Sequence, residues 1–163
     1  MMDLNKGLRL GMRRLATGVC VISTRDDTDS PYAMTASSVT SLSDEPPSLL
    51  VCVNKSAVIQ PYLVKGQMMA VSILNATQQA ISDRCAQKTT MAERFSEGAW
   101  VEHEIIRVPY LSTPQAIFFC EVDNDYFTYG THSIVIGRLL EVIIGDNPID
   151  PLIYLDGQYH QLR

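Results

Sequence analysis

The chain has 163 residues, 46% hydrophobic and 19% charged, with a formal net charge of -5. That length suits one domain, spanning residues 1–163, that buries its own core without disulfide or metal staples. The acidic balance argues against broad binding to nucleic acid or to an anionic membrane.

Leu4, Leu8, Met12 and Leu15 recur at helical spacing with basic residues between them, which predicts an amphipathic helix ending near Thr17-Gly18. The same basic residues break up the apolar stretch, so it does not read as a secretory leader. No apolar run approaches the roughly 18 residues of a membrane span. A cytoplasmic location is the expectation.

Residues 18–24 read as a buried strand and residues 25–31, with three aspartates, as a hairpin connection. The aspartates lack the glycine and distal glutamate of a calcium loop. Residues 32–39 read as the returning strand, 43–47 as a turn and 49–53 as a third strand. A short helix limited by Pro61 is expected over 56–64, then a strand over 68–74. Asn75 followed by Gln78 predicts a helix N-cap with its partner, opening a helix to about Gln87. Residues 90–96 add a helical turn, 98–114 read as irregular, and 116–123 and 132–144 as two longer strands. Asp156-Gly157 is a strong turn signal for a closing hairpin.

About eight short strands that do not alternate regularly with helices exclude a doubly wound sheet. The expected fold is mainly β: an antiparallel barrel, whose closure removes exposed strand edges, with a few peripheral helices. Cys20, Cys52, Cys85 and Cys120 show no Cys-x-x-Cys spacing, and His103, His132 and His160 are scattered, so no metal site is predicted. Cys20, Cys52 and Cys120 lie in apolar, strand-like runs and read as reduced core thiols. No glycine-rich dinucleotide fingerprint, P-loop or nucleophile elbow is present.

The most informative stretch is 33–56. Six of the nine residues from Thr35 to Ser43 carry hydroxyls, leaving room for a flat ligand and offering its edge donors and acceptors. The strand that follows ends in Asn54-Lys55-Ser56, an amide, a cation and a hydroxyl suited to a phosphate. A flat heteroaromatic with a phosphate points to flavin mononucleotide or the flavin half of FAD. Arg84, Lys88 and Arg94, with Lys55, would form a cationic pocket, or else a solvated helix face with local ion pairs. Gly130-Thr131-His132 opens a strand, and Tyr154 and Tyr159 flank the final turn.

Together these segments resemble the short-chain flavin reductases, the reductase components of two-component flavin-dependent monooxygenases. The resemblance runs from Met12-Arg13-Arg14-Leu15-Ala16-Thr17-Gly18-Val19 through Met34-Thr35-Ala36-Ser37-Ser38, Asn54-Lys55-Ser56-Ala57, Glu93-Arg94-Phe95 and Gly130-Thr131-His132 to the hairpin 151–159. It implies a Greek-key split β-barrel binding FMN or FAD, with NADH or NADPH as reductant. Thr35, Ala36, Ser37 and Ser38, after Met34, would line the isoalloxazine. Asn54, Lys55, Ser56 and Ala57 would hold the ribityl and phosphate with Ser82, Arg84, Arg94 and Phe95. His132 and the hairpin of Tyr154, Gly157 and Tyr159 would receive the nicotinamide, with His132 as the catalytic-site candidate. The resemblance also implies a homodimer and a separate oxygenase supplied by diffusing reduced flavin. An oxidase that keeps its flavin, or a non-catalytic flavin- or haem-binding barrel, are the rival readings.

Overall fold

The computed structural model describes residues 2–125 and 127–162. In chain order these form α1 (Leu4–Met12), β1 (Thr17–Gly18), β2 (Cys20–Arg25), β3 (Pro31–Ala36), β4 (Val39–Asp44), β5 (Pro47–Asn54), a 3₁₀ turn (Gln60–Tyr62) and β6 (Met68–Ile73). Then come α2 (Gln79–Ala86), α3 (Met91–Arg94), β7 (Trp100–Glu102), β8 (Pro109–Leu111) and β9 (Ala116–Val122). The chain closes with β10 (Phe127–Tyr129), β11 (His132–Ile144), β12 (Ile153–Leu155) and β13 (Gln158–His160).

The main antiparallel sheet runs β3-β2-β6-β9-β11-β5-β4, with β10 paired to β11. Its two end strands, β3 and β4, are consecutive in sequence and separated only by Ser37 and Ser38. From Ala36 to Val39 the chain spans at most about 11 Å, so the sheet must curl to bring its two edges near each other. The mainly β barrel expected from the sequence is present, with the hydroxyl-rich link as its seam.

Alternation along the strands decides what lies inside. Leu49, Val51 and Val53 of β5 point inward and are buried, while Leu50, Cys52 and Asn54 face the other way. Cys20, Ile22, Met69, Val71, Cys120, Val122 and Val135 join them in the barrel interior. Gly137 permits this packing: a Cβ there would lie 2.9 Å from Cys120 Cβ and still closer to Met69 Cε. β2 is buried along both faces. Its outward-facing Val21, with Val19 just ahead of the strand, packs with Ala33, Leu74, Ile81, Cys85, Leu111 and Leu152 beneath α2, which explains the continuous apolar run.

Several boundaries differ from the sequence reading. The strand expected over 32–39 stops at Ala36, and β4 begins at Val39. β4 is mostly exposed and hydroxyl-rich, so it lacks the alternation that marks a strand. The helix at Asn75 opens only at Gln79. The Asn75 side chain instead accepts from Thr77 N at 2.9 Å, while Gln78 Oε1 takes the Asn75 N–H at 2.9 Å. α1 ends at Met12 rather than near Thr17. Residues 98–114 are not irregular throughout: β7 and β8 form a ribbon, and Val108, just before β8, packs with Phe119 and Ile117. The turn at Asp156-Gly157 is as predicted, with φ of 52° and 79°, the left-handed pair of a tight hairpin.

Candidate active site at the barrel seam

Three adjoining pockets meet at Ser37. The largest, about 660 Å³, is a cleft between two walls. One wall is the outward face of β4 and β5: Ser38, Val39, Thr40, Leu50 and Cys52. The other is built from α1 and the β12–β13 hairpin, with Arg9, Met12, Arg13, Leu15 and Tyr154 to Gly157. A second pocket, about 370 Å³, opens between Thr17, Cys20, Ser37 and Phe118. A third, about 170 Å³, lies among Thr35, Ala36, Ser37, Ala86, Tyr154 and Tyr159.

Local bonds fix these walls. The Ser38 hydroxyl donates to the Cys52 carbonyl oxygen at 2.8 Å, tying the seam to β5. Thr17 pairs with Tyr154, and Asp156 N donates to Arg13 O at 2.9 Å, joining α1 to the hairpin. Thr35 Oγ1 donates to Ser82 O at 2.6 Å, while Ser82 Oγ and Tyr159 OH lie 2.8 Å apart. The Tyr154 and Tyr159 rings meet edge to face at 5.3 Å. The lining is mostly apolar with a few placed hydroxyls, the usual composition of a site for a flat organic ligand.

The structure therefore brings Thr35, Ala36, Ser37, Ser38, Tyr154, Gly157 and Tyr159 to one place. Asn54, Lys55 and Ser56 follow the cleft-lining Cys52 at the end of β5, whereas Ala57 packs against the barrel interior. Asn54 continues the outward row of Leu50 and Cys52, and its Oδ1 accepts from Ser56 N and Ser56 Oγ, both at 2.9 Å. His132 is the cross-strand neighbour of Asn54, and Lys55 N donates to Thr131 O at 3.0 Å. Met34 packs against the barrel interior. Ser82 is buried behind the pocket as the partner of Tyr159.

Arg84 and Arg94, the arginines of the predicted cationic pocket, have partners of their own. Arg84 pairs with Glu97 at 3.5 Å. Arg94 is buried beneath β3, donating to Ala33 O at 2.6 Å and Gln87 O at 2.9 Å. Phe95 packs on Trp100 at 4.5 Å between ring centres. Arg94 braces the strand that carries Thr35 and Ala36, and its local contacts are backbone carbonyls.

Residues 12–163 match the model of the flavin reductase like domain. The chain belongs to this family. Among its curated relatives, an FMN reductase (NADH) RutF of Variovorax paradoxus is 37% identical, over 94% of this chain and 83% of its own. The reductase component of an FADH(2)-dependent resorcinol hydroxylase from a Rhizobium species is 35% identical, over 96% and 86%. A solved flavin reductase, BorF of a bacterial two-component tryptophan halogenase, superposes with a TM-score of 0.86 at 33% identity, covering 97% of this chain and 98% of that one. The Streptomyces globisporus NADH:FAD oxidoreductase SgcE6, solved with NAD and FAD fragments, gives 0.87 at 26% identity, covering 100% and 96%.

In this flavin reductase-like domain, burial pushes the Cys20 and Cys120 thiols up to about 12 and Cys85 up to about 11. Cys20 and Cys120 are inert packing groups, as the sequence suggested, and Cys85, for which it made no such reading, is a third. Cys52 differs: it is half-buried and lines the cleft. Burial also raises the Tyr159 phenol above its ordinary value, opposed by its bond to Ser82. Sequence reasoning missed Arg9, Arg13, Leu50, Cys52 and the β4 residues Val39 and Thr40. The Arg9–Arg13 spacing of four, one helix face, was the signal that could have found the arginines. Among the described residues no cluster of His, Cys, Asp and Glu suits a metal.

Proposed function

We propose that the chain, as one domain over residues 1–163, is an NAD(P)H-dependent flavin reductase. It takes hydride from NADH or NADPH to FMN or FAD and releases the reduced flavin to a separate oxygenase. The observation that carries this reading is the seam itself: an open cleft and two side pockets converge on Ser37, with hydroxyls on one side and an aromatic hairpin on the other. The names of the reductases it resembles support it.

The residues present fit a flavin. Leu50 and Val39 supply an apolar floor, Ser37, Ser38 and Thr40 supply hydroxyls, and the Asn54–Ser56 rim supplies an amide, a cation and a hydroxyl for the phosphate. With both bound, the nicotinamide would supply a hydride from C4 and the flavin would take it at N5. The chain's task is to stack the rings: Ser37 and Ser38 hold one edge, and Tyr154 with the Gly157 turn covers the opposite side. His132 stands on the rim to orient the reductant, and no side chain need move a proton for the hydride itself. An open cleft suits a flavin that must leave.

A homodimer and a cytoplasmic location belong to the same proposal. α1 leaves Leu4 and Leu8 largely exposed, 87% and 65%, an apolar face that a second copy would cover. No helix among the described residues is long and apolar enough to cross a membrane.

The test is consumption of NADH or NADPH by purified protein with FMN, FAD or riboflavin added in turn. Turnover that depends on added flavin is expected. Tight flavin that does not exchange would indicate an oxidase instead. Bound haem or an unreactive flavin, with no NADH consumption, would overturn the reading in favour of a binding protein.

A further inference from the structure

Two arginines, one in α1 and one capping its C-terminus, are not accounted for by a mononucleotide held at the Asn54–Ser56 rim. Arg9 and Arg13 lie four residues apart and both line the large cleft, on the wall facing β4 and β5. Arg14 is used differently: it turns back to donate to Leu10 O at 2.6 Å. Asp156 is the single carboxylate in the cleft lining, and it sits 3.9 Å from Arg13 with both side chains well exposed. That pair is loose and solvent-screened. Among the described residues the Arg9 guanidinium has no carboxylate partner. The cleft thus keeps an excess positive charge at its α1 wall, presented by forked donors that match phosphate oxygens.

Backbone contacts make this placement specific. Asp156 N donates to Arg13 O at 2.9 Å, so the helix end is pinned to the hairpin turn. At Gly157 an added Cβ would lie 3.3 Å from an Arg13 guanidinium nitrogen, so Arg13 lies directly along the turn. Cys52, which lines the cleft, is two residues from Asn54 along one outward row of β5, roughly 6.6 Å. The rim that suits one phosphate therefore adjoins the sheet wall, and Arg9 and Arg13 stand on the other wall.

We propose that Arg9 and Arg13 form a diphosphate subsite, so that this protein favours a dinucleotide over the corresponding mononucleotide. The inference rests on the reductase reading and deepens it. The chemistry recognised is a diphosphate linking two nucleosides, which either FAD or the nicotinamide dinucleotide could bring.

The experiment compares the wild type with Arg9→Gln/Arg13→Gln and with Arg9→Lys/Arg13→Lys, using circular dichroism to confirm folding. Steady-state kcat/KM is measured with FAD against FMN, and with NADH against reduced nicotinamide mononucleotide. The glutamine pair should lower one of the two dinucleotide-to-mononucleotide ratios about tenfold, the scale of one charge-assisted contact. The lysine pair should recover part of it. A fall in the FAD-to-FMN ratio assigns the subsite to the flavin, and a fall in the NADH-to-mononucleotide ratio assigns it to the reductant. If neither ratio moves, whether or not overall activity falls, the subsite is overturned. If the wild type consumes no NADH, the reductase reading fails on its own. Equilibrium titrations of FAD, FMN and NAD⁺ then decide the subsite separately: a tenfold loss for a dinucleotide but not for FMN supports it, and equal affinities in variant and wild type overturn it.

Discussion

The Ser38 hydroxyl reaches 2.8 Å to the carbonyl oxygen of Cys52, fourteen residues on, and so fastens the barrel's seam to the strand that floors the cleft. The bond sits beside the proposed flavin edge. Ser38→Ala removes the donor but leaves the carbonyl open to water, so the fold should lose only about 0.5–1.5 kcal/mol. The KM for flavin should rise more than stability suggests, because the link that lines the site loses its anchor. An unaltered flavin KM would take Ser38 out of the site.

Lys55 follows Asn54, the cross-strand neighbour of His132, and its N–H donates to the carbonyl oxygen of Thr131 at 3.0 Å. Lys55→Ala should weaken flavin binding about tenfold at low salt, with a smaller effect as ionic strength rises. His132→Ala should instead raise the KM for NADH while leaving flavin affinity nearly as it was. Fluorescence titration of flavin and steady-state kinetics separate the two; matching effects from both variants would contradict these distinct roles.

The Tyr159 phenol, bonded to Ser82 and raised above its ordinary value by burial, makes stability depend on alkaline pH. Its folded-state pKa lies above the unfolded value of 10, so the stabilisation is complete below pH 10. It is lost as pH rises through the raised value. Tyr159→Phe should cost about 1 kcal/mol at neutral pH and flatten the alkaline limb of a denaturation-midpoint profile. An identical alkaline limb in the variant would show that other groups govern it.

Gly137 fills the place where β11 crosses Met69 and Cys120 in the interior. Gly137→Ala should destabilise by about 1–3 kcal/mol through overpacking. Met69 can swing aside but the Cys120 Cβ cannot, so Met69→Ala should not restore the loss fully. Thermal melts of the single and double variants check this.

Much of this architecture was legible from residue pattern alone. The runs in β2, β6, β9 and β11 are apolar because both or one of their faces are buried, and the Asp156-Gly157 turn announces itself by residue type. β4 was invisible because its outer face is exposed and its residues are hydroxylic, so neither face repeats an apolar signal. β10 and the β7–β8 ribbon are three-residue strands, too short for any period to show. At the site, the hydroxyl-rich link was readable from composition. Arg9 and Arg13 were not, because only the hairpin folding back onto α1 turns a basic helix face into a cleft wall.

The two-residue link between β3 and β4 also bears on how the barrel assembles. In most closed sheets the first and last strands are far apart in sequence, and the ring shuts only after a long loop has been ordered. Here the two edge strands are tethered by a two-residue link from the outset. The slow, non-local pairing is displaced to the middle of the sheet, where β5 meets β11 and β2 meets β6. The cleft forms at the point of shortest tether, so its floor and seam are fixed by local chain geometry. Substitutions on the link should alter ligand handling while leaving the folding rate almost untouched.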